Sequence, residues 1–135
     1  MKTKIYLSGG MSISNWQQEV IDKLGMSQFI FYNPREHKLV DSKEYTVCDL
    51  FYVESSDIIF AYMEKDNPSG FGLTLEIGYA SALGKTIILV DEKSIIDEVF
   101  AEKFSIVRET ASIVFSNLES GINYLRNLQN GIINK

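Results

Sequence analysis

The chain has 135 residues, enough for one domain, and its 45% hydrophobic and 23% charged content is that of an ordinary globular protein. A net charge of −5 argues against a nucleic-acid polymer as partner, because phosphate contacts need clustered Lys and Arg. The single cysteine excludes an intrachain disulfide. With no recognisable signal peptide and no apolar run able to span a bilayer, the expected setting is cytoplasmic and away from membranes.

Residues 1–135 read as a single domain built from alternating strands and helices. Lys4–Ser8 is a short apolar strand ending in Gly9-Gly10. A helix follows over about residues 14–24, with Trp16, Val20, Ile21 and Leu24 at helical spacing and Ser12 or Ser14 as its cap. Gln28–Tyr32 is a second strand, stopped by Asn33-Pro34. Residues 42–54 read as a helix carrying Tyr45, Cys48, Leu50, Phe51 and Val53. Cys48 is expected to pack in the interior.

Asp57–Tyr62 is the third strand, followed by a polar loop over residues 64–70. The next helix is read as opened by Gly72 and closed by Gly84, with Gly78, Ala80 and Ala82 letting it lie close to a sheet. That reading puts Glu76 in the first turn, where the helix dipole favours a carboxylate. An acid there can serve the helix alone, so a chemical role for Glu76 depends on its partners. Thr86–Val90 is the fourth strand. A helix over Ile95–Phe104, a polar break at Arg108-Glu109-Thr110 and a fifth strand at Ser112–Phe115 follow. A last helix is read as capped by Ser116, with Glu119 completing a capping box, before a polar tail over residues 130–135.

This alternation predicts an α/β fold: a doubly wound five-stranded parallel sheet with helices on both faces. Right-handed crossovers favour the flavodoxin-like strand order 2-1-3-4-5. Ligands of such sheets bind at the carboxyl ends of the strands, beside the switch point between strands one and three. That edge is predicted to gather Tyr6, Ser8, Gly9 and Gly10, then Asn33, Arg35 and Glu36. Glu64, Asp66, Asn67, Ser69, Gly70, Glu76 and Asp91 complete it, making a polar, acidic site.

Several chemistries find no support. His37, the only histidine, adjoins Arg35-Glu36 and reads as a solvated loop residue, so no Ser-His-Asp triad is expected. No metal-ligand motif is present, and no cofactor is expected. Gly9-Gly10-Met11-Ser12 lacks the spacing of a dinucleotide fingerprint or a P-loop; it reads as a plain turn or a small anion-binding nest. Asp57 stands at the start of strand three, not at its end where a phosphorelay receiver needs it.

Carboxylate chemistry remains. An ionised Glu76 can attack an anomeric carbon, and a second carboxyl group, for which Asp49 is the candidate, can handle the leaving group's proton. Asp49 also reads as a plain solvated helix residue.

Four elements in order resemble the nucleoside 2-deoxyribosyltransferase family over residues 4–91. They are Ile5-Tyr6-Leu7-Ser8-Gly9-Gly10; Asn33-Pro34-Arg35-Glu36; Asp49-Leu50 ahead of Ser56-Asp57-Ile58-Ile59; and Gly72 four residues before Glu76-Ile77-Gly78-Tyr79-Ala80. The resemblance implies that Glu76 is the nucleophile taking the 2-deoxyribosyl group from a nucleoside. It implies that Tyr6 orients that carboxylate and that Asp49 contacts the base and assists its proton transfer. Ser8, Gly9, Gly10, Asn33, Arg35, Asp66, Ser69, Gly70 and Gly72 are the implied substrate-binding residues. The acceptor is another base or water, and the family's habit of building sites at subunit interfaces implies a homo-oligomer, a dimer or larger. Phe51, Tyr52 and Phe100 are the candidates for its apolar contact.

The chain also departs from the transferases. Where they often carry a sugar-binding aspartate it has Ser69 and Gly70, with Asp66 further back. In this it resembles the related nucleoside 5′-monophosphate N-glycosidases, whose serine holds phosphate. Against them stands a rim with Arg35 and Lys65 as its only predicted cations. The segment after Asp91 lacks the transferases' terminal active-site tyrosine, and the Trp16 and Asn33-Pro34-Arg35 regions resemble a further branch of the superfamily. Three expectations follow: a deoxyribosyltransferase-like enzyme, a monophosphate N-glycosidase, or a non-catalytic nucleotide-binding module.

Overall fold

A computed structural model describes residues 1–131, so residues 132–135 of the polar tail lie outside the described residues. Five parallel strands form one sheet: β1 (Thr3–Gly9), β2 (Phe29–Tyr32), β3 (Ile58–Met63), β4 (Thr86–Asp91) and β5 (Ile113–Phe115). Their order is β2-β1-β3-β4-β5, as expected. The helices are α1 (Trp16–Leu24), α2 (Ser42–Ser55), α3 (Phe71–Ala82), α4 (Lys93–Ile96), α5 (Glu98–Thr110) and α6 (Leu118–Gln129). No helix among the described residues is long and apolar enough to cross a membrane.

Strand alternation divides the interior into two cores. Ile5 and Leu7 of β1 point to one face, where Trp16, Val20 and Leu24 of α1 and Ile122 and Leu125 of α6 cover them. Tyr6 points to the other, with Val53 of α2, Leu73, Ile77 and Ala80 of α3, and Phe104 and Val107 of α5. The central strand β3 is buried along its whole length, as a parallel strand covered on both faces must be. Period two therefore turns Tyr6 and Ser8 toward the face that carries α3.

Several boundaries differ from the sequence reading. Asn15, not Ser12 or Ser14, caps α1 by accepting from the Gln18 amide, and Asn117, not Ser116, caps α6 through the Ser120 amide. The expected capping box is absent because Glu119 is then only the second residue of α6. The polar triplet Arg108-Glu109-Thr110 continues α5. Phe104 and Val107 keep one face of that helix buried, while Arg108 finds partners on Ser94 Oγ and the Ala101 carbonyl. Gly78 and Ala82 face solvent, and only Ala80 of that trio is buried. The close helix approach belongs to Gly121 of α6 instead, where a Cβ would lie 2.6 Å from Val90 Cγ2. Cys48 is half-buried and free.

Candidate active site

Glu76 is fixed by two elements. The left-handed turn at Gly70, φ +83°, two residues before Gly72, delivers the chain into α3 at Phe71. Glu76 is thus the sixth residue of the helix and not in its first turn, where the dipole acts. Its side chain points at the sheet and is 8% exposed. There Tyr6 OH donates to Oε2 at 2.9 Å, and Ser8 Oγ donates to Oε1 at 2.6 Å. Both donors come from one face of β1, two residues apart.

The electrostatics reverse the expectation that the helix start holds Glu76 ionised. Burial pushes its pKa up to about 7, against the pull of the Ser8 and Tyr6 hydrogen bonds, and the nearby Asp49 charge adds to the rise. Glu76 is therefore a carboxyl group that changes charge near neutral pH, the condition of a nucleophile or base held in reserve. Tyr6 is pushed well above the usual phenol range, first by burial and then by the Glu76 charge, so it remains a hydroxyl donor.

Asp49 and Tyr52, three residues apart on α2, look into the same region. Tyr52 lies 5.8 Å from the Tyr6 ring and stacks on Tyr32 at 5.0 Å. Burial raises the Asp49 pKa, and a hydrogen bond with His37 at 3.0 Å opposes it. His37 is thus not the solvated loop residue the sequence suggested: its side chain is 8% exposed. Nothing near His37 in the chain announces this, because its partner lies twelve residues away on another element. Ser8, expected as a substrate contact, instead engages the carboxylate directly. The signal for that was its spacing from Tyr6 on a strand.

A cleft of about 470 Å³ opens between the turn after β1 and the start of α3; Glu76 is not among the residues that line it. Gly9, Gly10, Ser69, Gly70, Gly72 and Leu73 line it. Leu73 stands one helical turn before Glu76, and Gly9 follows its partner Ser8. A side chain at Gly9 would meet the Tyr62 carbonyl at 2.6 Å and the Trp16 ring at 2.8 Å, so only glycine lets β1 turn here. Asn67 supports the facing wall by accepting from the Ser69 amide at 3.0 Å. The α3 N-terminus has no side-chain cap and no acid in its first turn, leaving amides directed at the cleft.

Other predicted residues stand elsewhere or serve the frame. Asn33 caps the Pro34–Glu36 turn through the Arg35 amide. Arg35 clamps the turn after β1: Nε donates to Gln17 Oε1 at 2.8 Å, and Nη2 donates to the Met11 carbonyl at 3.0 Å and to the Ser14 carbonyl. Asp66 is exposed and lines a second cleft with Ile13, Tyr62 and Ile95. Glu64 is buried there and accepts from Ser14 Oγ at 2.7 Å. Asp91 is buried among Ser94 and Arg108, the latter 3.6 Å away. Of the acidic rim expected around Glu76, Glu64, Asp66 and Asp91 thus engage other partners or another cleft, and the carboxyl group whose charge acts on Glu76 is Asp49, from outside that rim.

The sequence model of a family described as nucleoside 2-deoxyribosyltransferase like matches residues 2–94. Comparison with curated proteins returns no match. Among solved structures, the chain is similar to a conserved protein from Enterococcus faecalis V583, with 19% identity and a TM-score of 0.73 over 95% of this chain and 99% of that one. It is similar to a 2-desoxiribosyltransferase from Leishmania mexicana, with 17% identity and a TM-score of 0.69 over 93% and 97%. A CMP N-glycosidase, BcmB, from Clostridium botulinum gives 17% identity and a TM-score of 0.59 over 91% and 98%. At these identities the neighbours establish the fold.

Proposed function

We propose that this chain, which belongs to the nucleoside 2-deoxyribosyltransferase-like family, cleaves the N-glycosidic bond of a (deoxy)nucleoside and passes the sugar to another base or to water. The observation that carries the reading is the buried Glu76 carboxyl, held by Tyr6 and Ser8 at its two oxygens, with Asp49 close enough for their charges to interact.

Ionised Glu76 attacks the anomeric carbon. The electron pair of the sugar–base bond leaves with the base, and Asp49 supplies the proton that makes the base a better leaving group. The glycosyl–Glu76 ester is then opened by an incoming base or water, whose proton Asp49 takes. Tyr6 and Ser8 hold the carboxylate in place for attack and stabilise it again as the ester breaks. The glycine-lined cleft admits the sugar close to the backbone, and the half-buried, stacked rings of Tyr32 and Tyr52 offer an aromatic surface near Asp49 for a planar base.

A second reading is hydrolysis of a nucleoside 5′-monophosphate. It is favoured by the uncapped α3 N-terminus beside Ser69 and Gly70, an arrangement of amides that suits a phosphate dianion, and by the absence of Asp66 from that cleft. Arg35 is committed to the β1 turn, so backbone amides and Ser69 would carry the phosphate.

Incubation with deoxyinosine and free adenine separates the outcomes. Deoxyadenosine formation identifies a transferase, and free base without exchange identifies a hydrolase. Cleavage confined to monophosphates identifies the second reading. Absence of turnover on nucleosides and nucleotides alike refutes both. The proposed assembly is a homo-oligomer, supported by the exposed apolar residues Val47 and Phe51 on α2 and Phe71 and Leu75 on α3. Tyr52 and Phe100 are half-buried and pack on Tyr32 and Phe104. Sedimentation velocity giving a monomer at micromolar concentration would refute the assembly.

A further inference from the structure

The His37 ring is held at both nitrogens. The Leu39 backbone amide donates to Nδ1 at 3.0 Å, and Nε2 lies 3.0 Å from Asp49 Oδ1. A backbone N–H can only donate, so Nδ1 presents a lone pair and the ring proton sits on Nε2. Nε2–H therefore donates to Asp49, and the imidazole is neutral while both bonds hold. The two side chains are 8% and 16% exposed, so water competes weakly for the bond. The Tyr52 ring lies 6.4 Å from the imidazole with planes 20° apart, limiting ring rotation.

We propose that His37 is a positioning residue that gives the two Asp49 oxygens different tasks, Oδ1 being tied to the imidazole and Oδ2 exchanging the proton with the base. The inference rests on the glycosidic reading of the site. A carboxylic acid carries its proton on one oxygen, and Oδ1 already accepts from Nε2–H, so the transferable proton belongs on Oδ2. As the sugar–base bond breaks, its electron pair goes to the base nitrogen and the Oδ2 proton follows. Asp49 is left as a carboxylate stabilised by the same Nε2–H. In the return step Oδ2 takes a proton from the acceptor base or water, and the ring nitrogens keep their protonation throughout.

A neutral donor suits this task. An imidazolium would hold Asp49 as a carboxylate more strongly and would lose the Leu39 bond, because Nδ1 would then carry its own proton. Burial works in the opposite direction and raises the Asp49 pKa. The titratable groups around Asp49 are His37 from the segment after the Pro34–Glu36 turn, Tyr6 from β1, Glu76 from α3, and Cys48 and Tyr52 on α2 itself. Of these, His37 is the one bonded to Asp49.

The test has two independent arms. His37 is the only histidine, so ring ¹⁵N NMR of the labelled protein observes one imidazole. The expected spectrum has a protonated Nε2 and an unprotonated Nδ1 at neutral pH, with the Nε2 signal moved in Asp49→Asn. A protonated Nδ1 at neutral pH overturns the proposal. In the kinetic arm, His37→Ala should lower kcat about 10- to 100-fold with KM nearly unchanged. The limb of the pH profile assigned to Asp49 should move to higher pH, because a bond that lowers its pKa is gone. His37→Gln, whose amide N–H can replace Nε2–H, should recover most of both effects. Parental kcat and profile in His37→Ala, or no recovery in a folded His37→Gln, overturns it. A parent protein that turns over no nucleoside or nucleotide refutes the glycosidic reading and with it the role of Oδ2, while the NMR arm still decides the tautomer.

Discussion

Replacing Glu76 with Gln should abolish turnover and at the same time make the protein more stable at alkaline pH. The carboxyl has an ordinary pKa of 4.5 in an unfolded chain and about 7 in the folded protein, chiefly because of burial. Below pH 4.5 it is neutral in both states and costs nothing. As pH rises from 4.5 toward 7, the unfolded chain releases the proton and the folded chain retains it, so stability falls. Each pH unit of that interval removes about 1.4 kcal/mol, or about 3 kcal/mol in all, and the loss stays constant above about 7. Glu76→Gln removes the ionisation and keeps the shape, and the Ser8 or Tyr6 hydroxyl can turn to accept from the new amide. Urea unfolding of parent and variant between pH 4.5 and 8 measures the difference. The variant's relative stability should grow by about 3 kcal/mol across that range, other carboxyl groups being common to both proteins. A difference that stays flat with pH would refute the placement of Glu76 as a buried, proton-holding group.

The pH dependence of kcat/KM should show an acid limb near 7, because attack needs ionised Glu76 and acidification below that value protonates it. Tyr6→Phe removes the donor to Oε2; it should lower kcat about 100-fold and move that limb to higher pH, since the lost bond favoured the anion. Ser69→Ala should raise KM for monophosphates alone if phosphate sits at the α3 N-terminus, and should leave free nucleosides unaffected. Gly70→Ala should cost about 1–3 kcal/mol in a urea or thermal melt, because φ is +83° and the new Cβ would meet Met63 Sδ at 2.9 Å.

The sheet order and the gathering of Tyr6 and Glu76 at one edge are legible from topology rules, while the bond between them is what the family resemblance implies. Period two sends Tyr6 and Ser8 to one face of β1, and the carboxyl-edge rule places the start of α3 beside them. The reading from Gly72 misplaces Glu76 by two residues along the helix, enough to move it out of the first turn. The sequence reading opens the helix at Gly72, but the left-handed turn that starts it lies at Gly70. That shift replaces a dipole that favours charge with burial that opposes it. The surroundings of Arg35, Asp91 and His37 are not legible in the sequence, for a common reason. Their partners are Met11 and Ser14, Arg108, and Asp49, each on a separate segment, and no periodic pattern records such pairs. Asp66 shows the limit of the edge rule, which names the end of a strand but not the side of the sheet on which its loop residues fall.

The central claim is that Glu76 carries the sugar between two partners. Rapid quenching of the protein with a nucleoside or monophosphate that it turns over, followed by peptide mapping by mass spectrometry, tests this directly. The account predicts a sugar adduct on Glu76 during turnover, lost when acceptor base or water consumes it and absent in Glu76→Gln. Turnover with no adduct on Glu76, or undiminished turnover in Glu76→Ala, would contradict it.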